Sequence, residues 1–167
     1  MLDWLTANQQ YAIILVPVLA FAEAFVGIGL LISGVFLLLV ATGIYTSALA
    51  PIETIVMLAL FGAFLGDQAG FYLGRLLGPR FHHSRVAGRY QKSLDNAELM
   101  VRKHGSAVIF IGRFLPAIRS VIPAMLGLSG FDRIRYLLLD AVACLLWSAA
   151  LGTIVLGLDM GFSFGPT

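Results

Sequence analysis

Residues 102–135 read RKHGSAVIFIGRFLPAIRSVIPAMLGLSGFDRIR, an apolar stretch from Gly105 to Phe131 with Arg102 and Lys103 before it and Arg133 and Arg135 after it. If this stretch crossed a bilayer once, one basic pair would be stranded outside, whereas Lys and Arg in short loops stay on the cytoplasmic side. A re-entrant hairpin keeps both pairs in the cytoplasm, and Pro116 and Pro123 supply the helix breaks it needs. Backbone freed at those breaks cannot be satisfied by hydrocarbon, so the predicted hairpin lies inside the molecule. Residues 136–158, YLLLDAVACLLWSAALGTIVLGL, then span outward. Asp140 falls near the cytoplasmic end of that span, where it reads as a solvated helix start favoured by the helix dipole.

A second spanning segment is TIVMLALFGAFLGDQAGFYLGRLLG at 54–78, with Asp67 as its only charge before Arg75. Gly62, Gly66, Gly70, Gly74 and Gly78 recur at every fourth position, which on a helix makes a nearly straight stripe. A stripe without side chains lets another helix approach closely. Ahead of it, residues 11–50 form an apolar stretch interrupted by Glu23, Gly27, Gly29, Ser33 and Gly34. As continuous helix it would be about 60 Å long, too long for one crossing of a core about 30 Å thick. Two crossings or a hairpin fit it. All 11 Lys and Arg lie between Arg75 and Arg135, which favours a hairpin entered from the outer side.

Only 12% of the 167 residues are charged and 59% are hydrophobic, against about 25% charged in a soluble domain. Between Asp3 and Glu23 there are 19 uncharged residues and between Glu23 and Glu53 there are 29, stretches that belong in lipid. The N-terminus MLDWLTANQQ lacks a basic leader region, so the first apolar segment is expected to be retained. The basic block, flanked by membrane segments, marks a cytoplasmic side and not a nucleic-acid interface. Within it Tyr90, Leu94, Ala97 and Val101 share a helical face, and Glu98 can pair with Arg102, as on an amphipathic surface helix. The fold expected is thus a single all-α integral membrane domain over 1–167, an inverted repeat of re-entrant hairpin plus transmembrane helix. The first hairpin and span cover about 11–78, the basic cytoplasmic segment about 79–104, and the second hairpin and span about 105–158.

Glu23, Asp67, Arg113, Arg119 and Asp140 are the ionisable residues inside apolar sequence. Each costs roughly 2.5 to 3.5 kcal/mol at a helix centre unless it is paired, wet or near an interface. The functional reading is a polar site between the two hairpins that a charged substrate can reach; the bland one is a set of ion pairs that only fix the packing. Arg113 and Arg119 would lie about 240° apart on an unbroken helix. A hairpin broken at Pro116 could aim both at one point, and guanidinium suits bidentate capture of phosphate oxygens. Snorkelling of each arginine to the interface is the alternative. Asp67 and Glu23 could each pair with an arginine or carry a proton.

His82 and His83 have no Cys or acidic ligand nearby and are not expected to bind metal. Cys144, the single cysteine, can form no internal disulfide and reads as a packing residue. GxSxG, HExxH and P-loop motifs are missing, so neither an enzyme nor a cofactor is expected.

The stretches GAFLGDQAGFYLGRLLG at 62–78 and HGSAVIFIGRFLPAIRSVIPAMLGLSGF at 104–131, followed by Trp147, resemble the DedA family, also called the VTT or SNARE-associated domain family. The resemblance covers about residues 20–160 and is carried most specifically by the GRFxPxxR core with the following proline and glycine. It implies a multi-pass protein of the inner (cytoplasmic) membrane acting as a lipid flippase or scramblase. The cargo implied is undecaprenyl phosphate in bacteria, or phospholipid as in eukaryotic relatives. It further implies that Arg113 and Arg119 hold the lipid phosphate, that Glu23 and Asp67 serve as ion-pair or proton groups, and that Pro116, Pro123 and Gly127 shape the hairpin. Residues 26–39, VGIGLLISGVFLLL, lack the prolines and second acid common in the family's first hairpin. The chain ends soon after the Trp147 helix, where longer members continue, and a homo-oligomer is expected to supply the missing surface. The rival expectation is a non-transporting membrane organiser whose buried charges are structural.

Overall fold

The computed structural model describes residues 9–26, 28–30, 34–81, 99, 107–114 and 119–163. The amphipathic helix expected around 90–101, the histidines at 82 and 83, and Pro116 lie outside the described residues. Those described are helical, without strands: α1 (Gln9–Ala24), a 3₁₀ turn (Ile28–Leu30), α2 (Gly34–Thr46), α3 (Ile52–Phe81), α4 (Ala107–Phe114), α5 (Val121–Leu128) and α6 (Arg133–Ser163). Two short helices and one long one thus follow each other twice. Among the described residues only α3 and α6, with 30 and 31 residues, are long and apolar enough to cross a membrane. At 1.5 Å per residue α1 and α2 are only about 24 and 20 Å long, less than a hydrocarbon core.

The packing follows from where side chains are missing. A Cβ on Gly62 would strike the Pro17 carbonyl, and one on Gly66 the Phe21 carbonyl, so α1 lies backbone to backbone on the first half of α3. Further along, Gly74 faces the Ala124 carbonyl, while Gly127 of α5 faces the Phe71 carbonyl and the Arg75 amide. The glycine stripe therefore serves two partners in succession. Pairings 17 with 62 and 21 with 66 run in the same direction, as do 123 with 70 and 124 with 74, so α1 and α5 both run parallel to α3. They meet end to end beside its middle, where Ser120, next to the start of α5, touches Gly29 in the turn after α1. Pro123 occupies the first turn of α5, where a missing N–H leaves no intrahelical bond unmade. The long helix α6 runs antiparallel to α3: Val56 meets Gly152, Gln68 meets Asp140, and the Phe71 and Tyr136 rings stack at 4.1 Å.

Two apolar cores result. One joins α1 and α2 to the first half of α3 and the last turns of α6, through Val16, Ile44, Ile55 and Val155. The other joins α4 and α5 to the second half of α3 and the start of α6, through Ile109, Leu126, Phe71 and Tyr136. Asp67 lies between Ala63 of the first core and Phe71 of the second, so charge occupies the layer between them. The outside is apolar, with Phe36, Leu39, Leu65, Leu76, Leu138 and Leu145 exposed. Apolar surface around a charged interior reverses the arrangement water imposes and suits a lipid solvent.

Candidate functional site

Four chain segments converge on the layer between the cores. Asp67 comes from the middle of α3, Arg113 from the last turn of α4, Arg119 from just before α5, and Glu23 from the last turn of α1. All are buried: Asp67 is 1% exposed, Arg113 and Arg119 are 6% exposed and Glu23 is 9% exposed. Arg113 sits favourably at a helix C-terminus, but Glu23 at the end of α1 and Arg119 at the start of α5 each oppose the local helix dipole. They compensate each other, Arg119 Nη1 donating to Glu23 Oε1. Gly34 makes room for that acid, since a Cβ there would lie 2.7 Å from Glu23 Oε1. Arg113 Nη1 donates to Asp67 Oδ2 and also approaches Asp140 Oδ1 at 3.3 Å.

Asp140 corrects the expectation of a solvated helix start. It is 1% exposed and accepts a hydrogen bond from Gln68 Nε2 at 2.8 Å. Helix α6 begins at Arg133, so Asp140 lies two turns in, on the face turned to α3. One oxygen from each of Asp67 and Asp140 and the Cys144 sulfur lie within 4.8 Å of one another. Two full negative charges that close repel by about 3.5 kcal/mol or more at an effective dielectric of about 20. By atom type this trio could ligate a metal ion, but Arg113 already sets a cation against both carboxylates, so the trio reads as a charge cluster. Cys144 contributes a buried thiol 3.9 Å from Asp67 Oδ2 and 3.8 Å from Asp140 Oδ1.

Both guanidiniums rest on one aromatic platform. The Cζ of Arg119 lies 4.3 Å from the Trp147 ring centroid and that of Arg113 5.6 Å from it. Each arginine spends only Nη1 on its carboxylates, leaving Nε and Nη2 of both without a hydrogen-bond partner among the described residues. Arg113, Arg119, Asp67 and Asp140 line a small cleft walled by Ile109 and Ile122. Its free space holds no more than about one water molecule.

The VTT domain matches residues 10–156 of this sequence. The chain belongs to the VTT domain family, that of the DedA proteins. Protein DedA of Escherichia coli K12 is 29% identical to this VTT-domain protein over 108 residues, covering 60% of this chain and 49% of its own. Inner membrane protein YabI of the same organism is 23% identical over 144 residues, 86% of this chain and 57% of its own. An uncharacterized membrane protein of Mycobacterium leprae is 34% identical over 100 residues, 59% of this chain and 44% of its own. The VTT-domain protein thus spans about half the length of these curated relatives, two of which are named as membrane proteins. No solved structure matches it.

The structure brings Glu23, Asp67, Arg113 and Arg119 of the VTT-domain protein into one layer; Pro123 and Gly127 lie in α5, and Gly78 lies in α3. Sequence reasoning named Asp140 but set it at a solvated helix start, and it missed Gln68, Tyr136 and the platform role of Trp147. A signal existed: Tyr136, Asp140, Cys144, Trp147, Leu151 and Val155 follow each other at intervals of 4 and 3, which defines one face of a helix. That face is the inward one. Phe at position 147 keeps a ring under the guanidiniums and Leu does not, so Trp147→Leu should be less stable than Trp147→Phe by about 0.5 to 2 kcal/mol in thermal unfolding in detergent. Equal stability of the two variants would mean that the platform only fills space.

Proposed function

We propose that this VTT-domain protein moves a lipid with a phosphate headgroup between the leaflets of the cytoplasmic membrane, undecaprenyl phosphate being the cargo that the resemblance of its motifs implies. The observation that carries this reading is the set of buried N–H donors, Nε and Nη2 of both Arg113 and Arg119, that have no partner among the described residues and belong to two arginines lining one cleft. Nε and Nη2 on one side of a guanidinium form the fork that matches two phosphate oxygens. A phosphate placed there would find two such forks on one aromatic platform. The cleft is too small for a headgroup as it stands, so loading requires the helices around it to part.

In a bilayer this reading makes α3 and α6 the spans and the two short-helix pairs re-entrant hairpins from opposite sides. End-to-end meeting of α1 and α5 beside the middle of α3 supports it, because broken helices of inverted repeats meet near the midplane. The basic segment at 79–104 then lies in the cytoplasm. Lysine keeps the charge and loses the fork, so Arg113→Lys and Arg119→Lys should each slow the movement of labelled undecaprenyl phosphate in reconstituted liposomes at least about tenfold, with detergent stability close to wild type.

A second reading, a membrane organiser that transports nothing, is favoured by one observation: each arginine already holds a carboxylate. It predicts that Lys is partly tolerated and that any loss of transport follows loss of stability. Transport and thermal stability measured on the same purified variants separate the two.

A further inference from the structure

Among the described residues the buried charge layer contains three carboxylates, Glu23, Asp67 and Asp140, and two guanidiniums, Arg113 and Arg119. Arg119 is taken by Glu23, which leaves Arg113 alone against both aspartates through a single Nη1. The groups facing this pair come from every neighbouring element: Glu23 from α1, Arg113 from α4, Arg119 from the start of α5, and Tyr136 and Cys144 from α6. Neither Tyr136 nor Cys144 adds positive charge. If every acid were ionised, the layer would hold one uncompensated negative charge between two apolar cores, the arrangement a low dielectric penalises most.

A second observation points to what fills the deficit. Asp67 Oδ1 is buried and has no hydrogen-bond partner among the described residues, although its sister oxygen is held by Arg113. Across the pair, Asp140 Oδ2 accepts from Gln68. A carboxyl group carrying a proton is neutral, and two carboxyls that share one proton leave a single charge for Arg113 to balance.

We propose that Asp67 and Asp140 together bind one proton, and that this pair, with Asp140 as the member on α6, is the proton site of the charge layer. The proton completes the neutrality that two arginines leave unfinished. This deepens the lipid-phosphate reading and rests on it for its use: an anion docking on the free Nε and Nη2 donors adds negative charge to the layer, and a second proton taken up by the pair from solvent offsets it. The proton held at rest needs no lipid.

The test is infrared spectroscopy of the purified protein in detergent at neutral pH, reading the C=O stretch that only a protonated carboxyl gives. Wild type should show a band equivalent to one carboxylic acid per chain, and the band should shift when aspartate is labelled with carbon-13 in its side-chain carboxyl. Asp140→Asn should lose it, because Asp67 then ionises alone against Arg113, while Asp140→Glu should retain it. A missing band in wild type, or one that ignores labelled aspartate, overturns the proposal without recourse to any variant. So does a band that disappears when sodium is added, which would mean that a metal cation and not a proton fills the deficit. Because the band is read without lipid, its absence overturns the proton pair whatever liposomes show. Failed transport with the band intact overturns the lipid reading alone.

Discussion

Glu23→Ala will destabilise the protein by about 3 to 5 kcal/mol, the largest effect expected of any single charge deletion in the layer. Arg119 has no other carboxylate bonded to it among the described residues, and a guanidinium cannot shed its charge to escape a buried site. The variant therefore leaves a full positive charge supported only by the face of Trp147. Asp67→Ala should cost distinctly less. Arg113 still has Asp140, 3.3 Å away, to turn to, so the deletion leaves no guanidinium without a carboxylate. Glu23→Ala combined with Arg119→Leu should recover most of the lost stability, since it is the unpaired charge that is costly. Thermal unfolding of the three variants in one detergent checks the order. If Asp67→Ala proves as damaging as Glu23→Ala, the assignment of partners within the layer is wrong.

Gly127→Leu and Gly74→Leu should be at least as damaging as the upper end of the about 1 to 3 kcal/mol usual for overpacking. At both positions the obstacle is backbone: the Phe71 carbonyl and Arg75 amide for one, the Ala124 carbonyl for the other. A flexible side chain could move aside, but a helix backbone can yield only by moving α5 as a unit. Arg119 sits immediately ahead of that helix, so the displacement would also draw it away from Glu23. Leu65→Ala, at an exposed side chain of α3, should be close to neutral. Gly157→Ala should be neutral or slightly stabilising, because a Cβ there meets nothing within 4 Å. Fluorescence-detected size exclusion after a temperature ramp ranks all four. Equal tolerance at Gly127 and Gly157 would mean that α5 does not seat on α3.

What the sequence determined by itself about this protein is what depends on chemical type along the chain. Uncharged runs longer than a soluble core can use dictated a membrane solvent, and glycine at every fourth position dictated a close helix contact. Charges too costly to leave bare in lipid required Glu23, Asp67, Arg113, Arg119 and Asp140 to be paired, wet or near an interface. Each of these follows from a penalty that any tertiary arrangement must avoid, so each was legible before the structure. Which partner each group takes was not. The glycine stripe splits between α1 and α5 because two half-length helices meet beside the middle of α3, a matter of chain reversal that no local pattern encodes. Asp140 joins Asp67 only because α6 begins at Arg133 and runs antiparallel to α3, which sets both its depth and its facing. Trp147 reaches both guanidiniums for the same reason, standing two turns beyond Asp140 on the inward face. Spacing along the chain limits which residues share a face of one helix, but only the rotation and depth of that helix against its neighbours decide which charges meet.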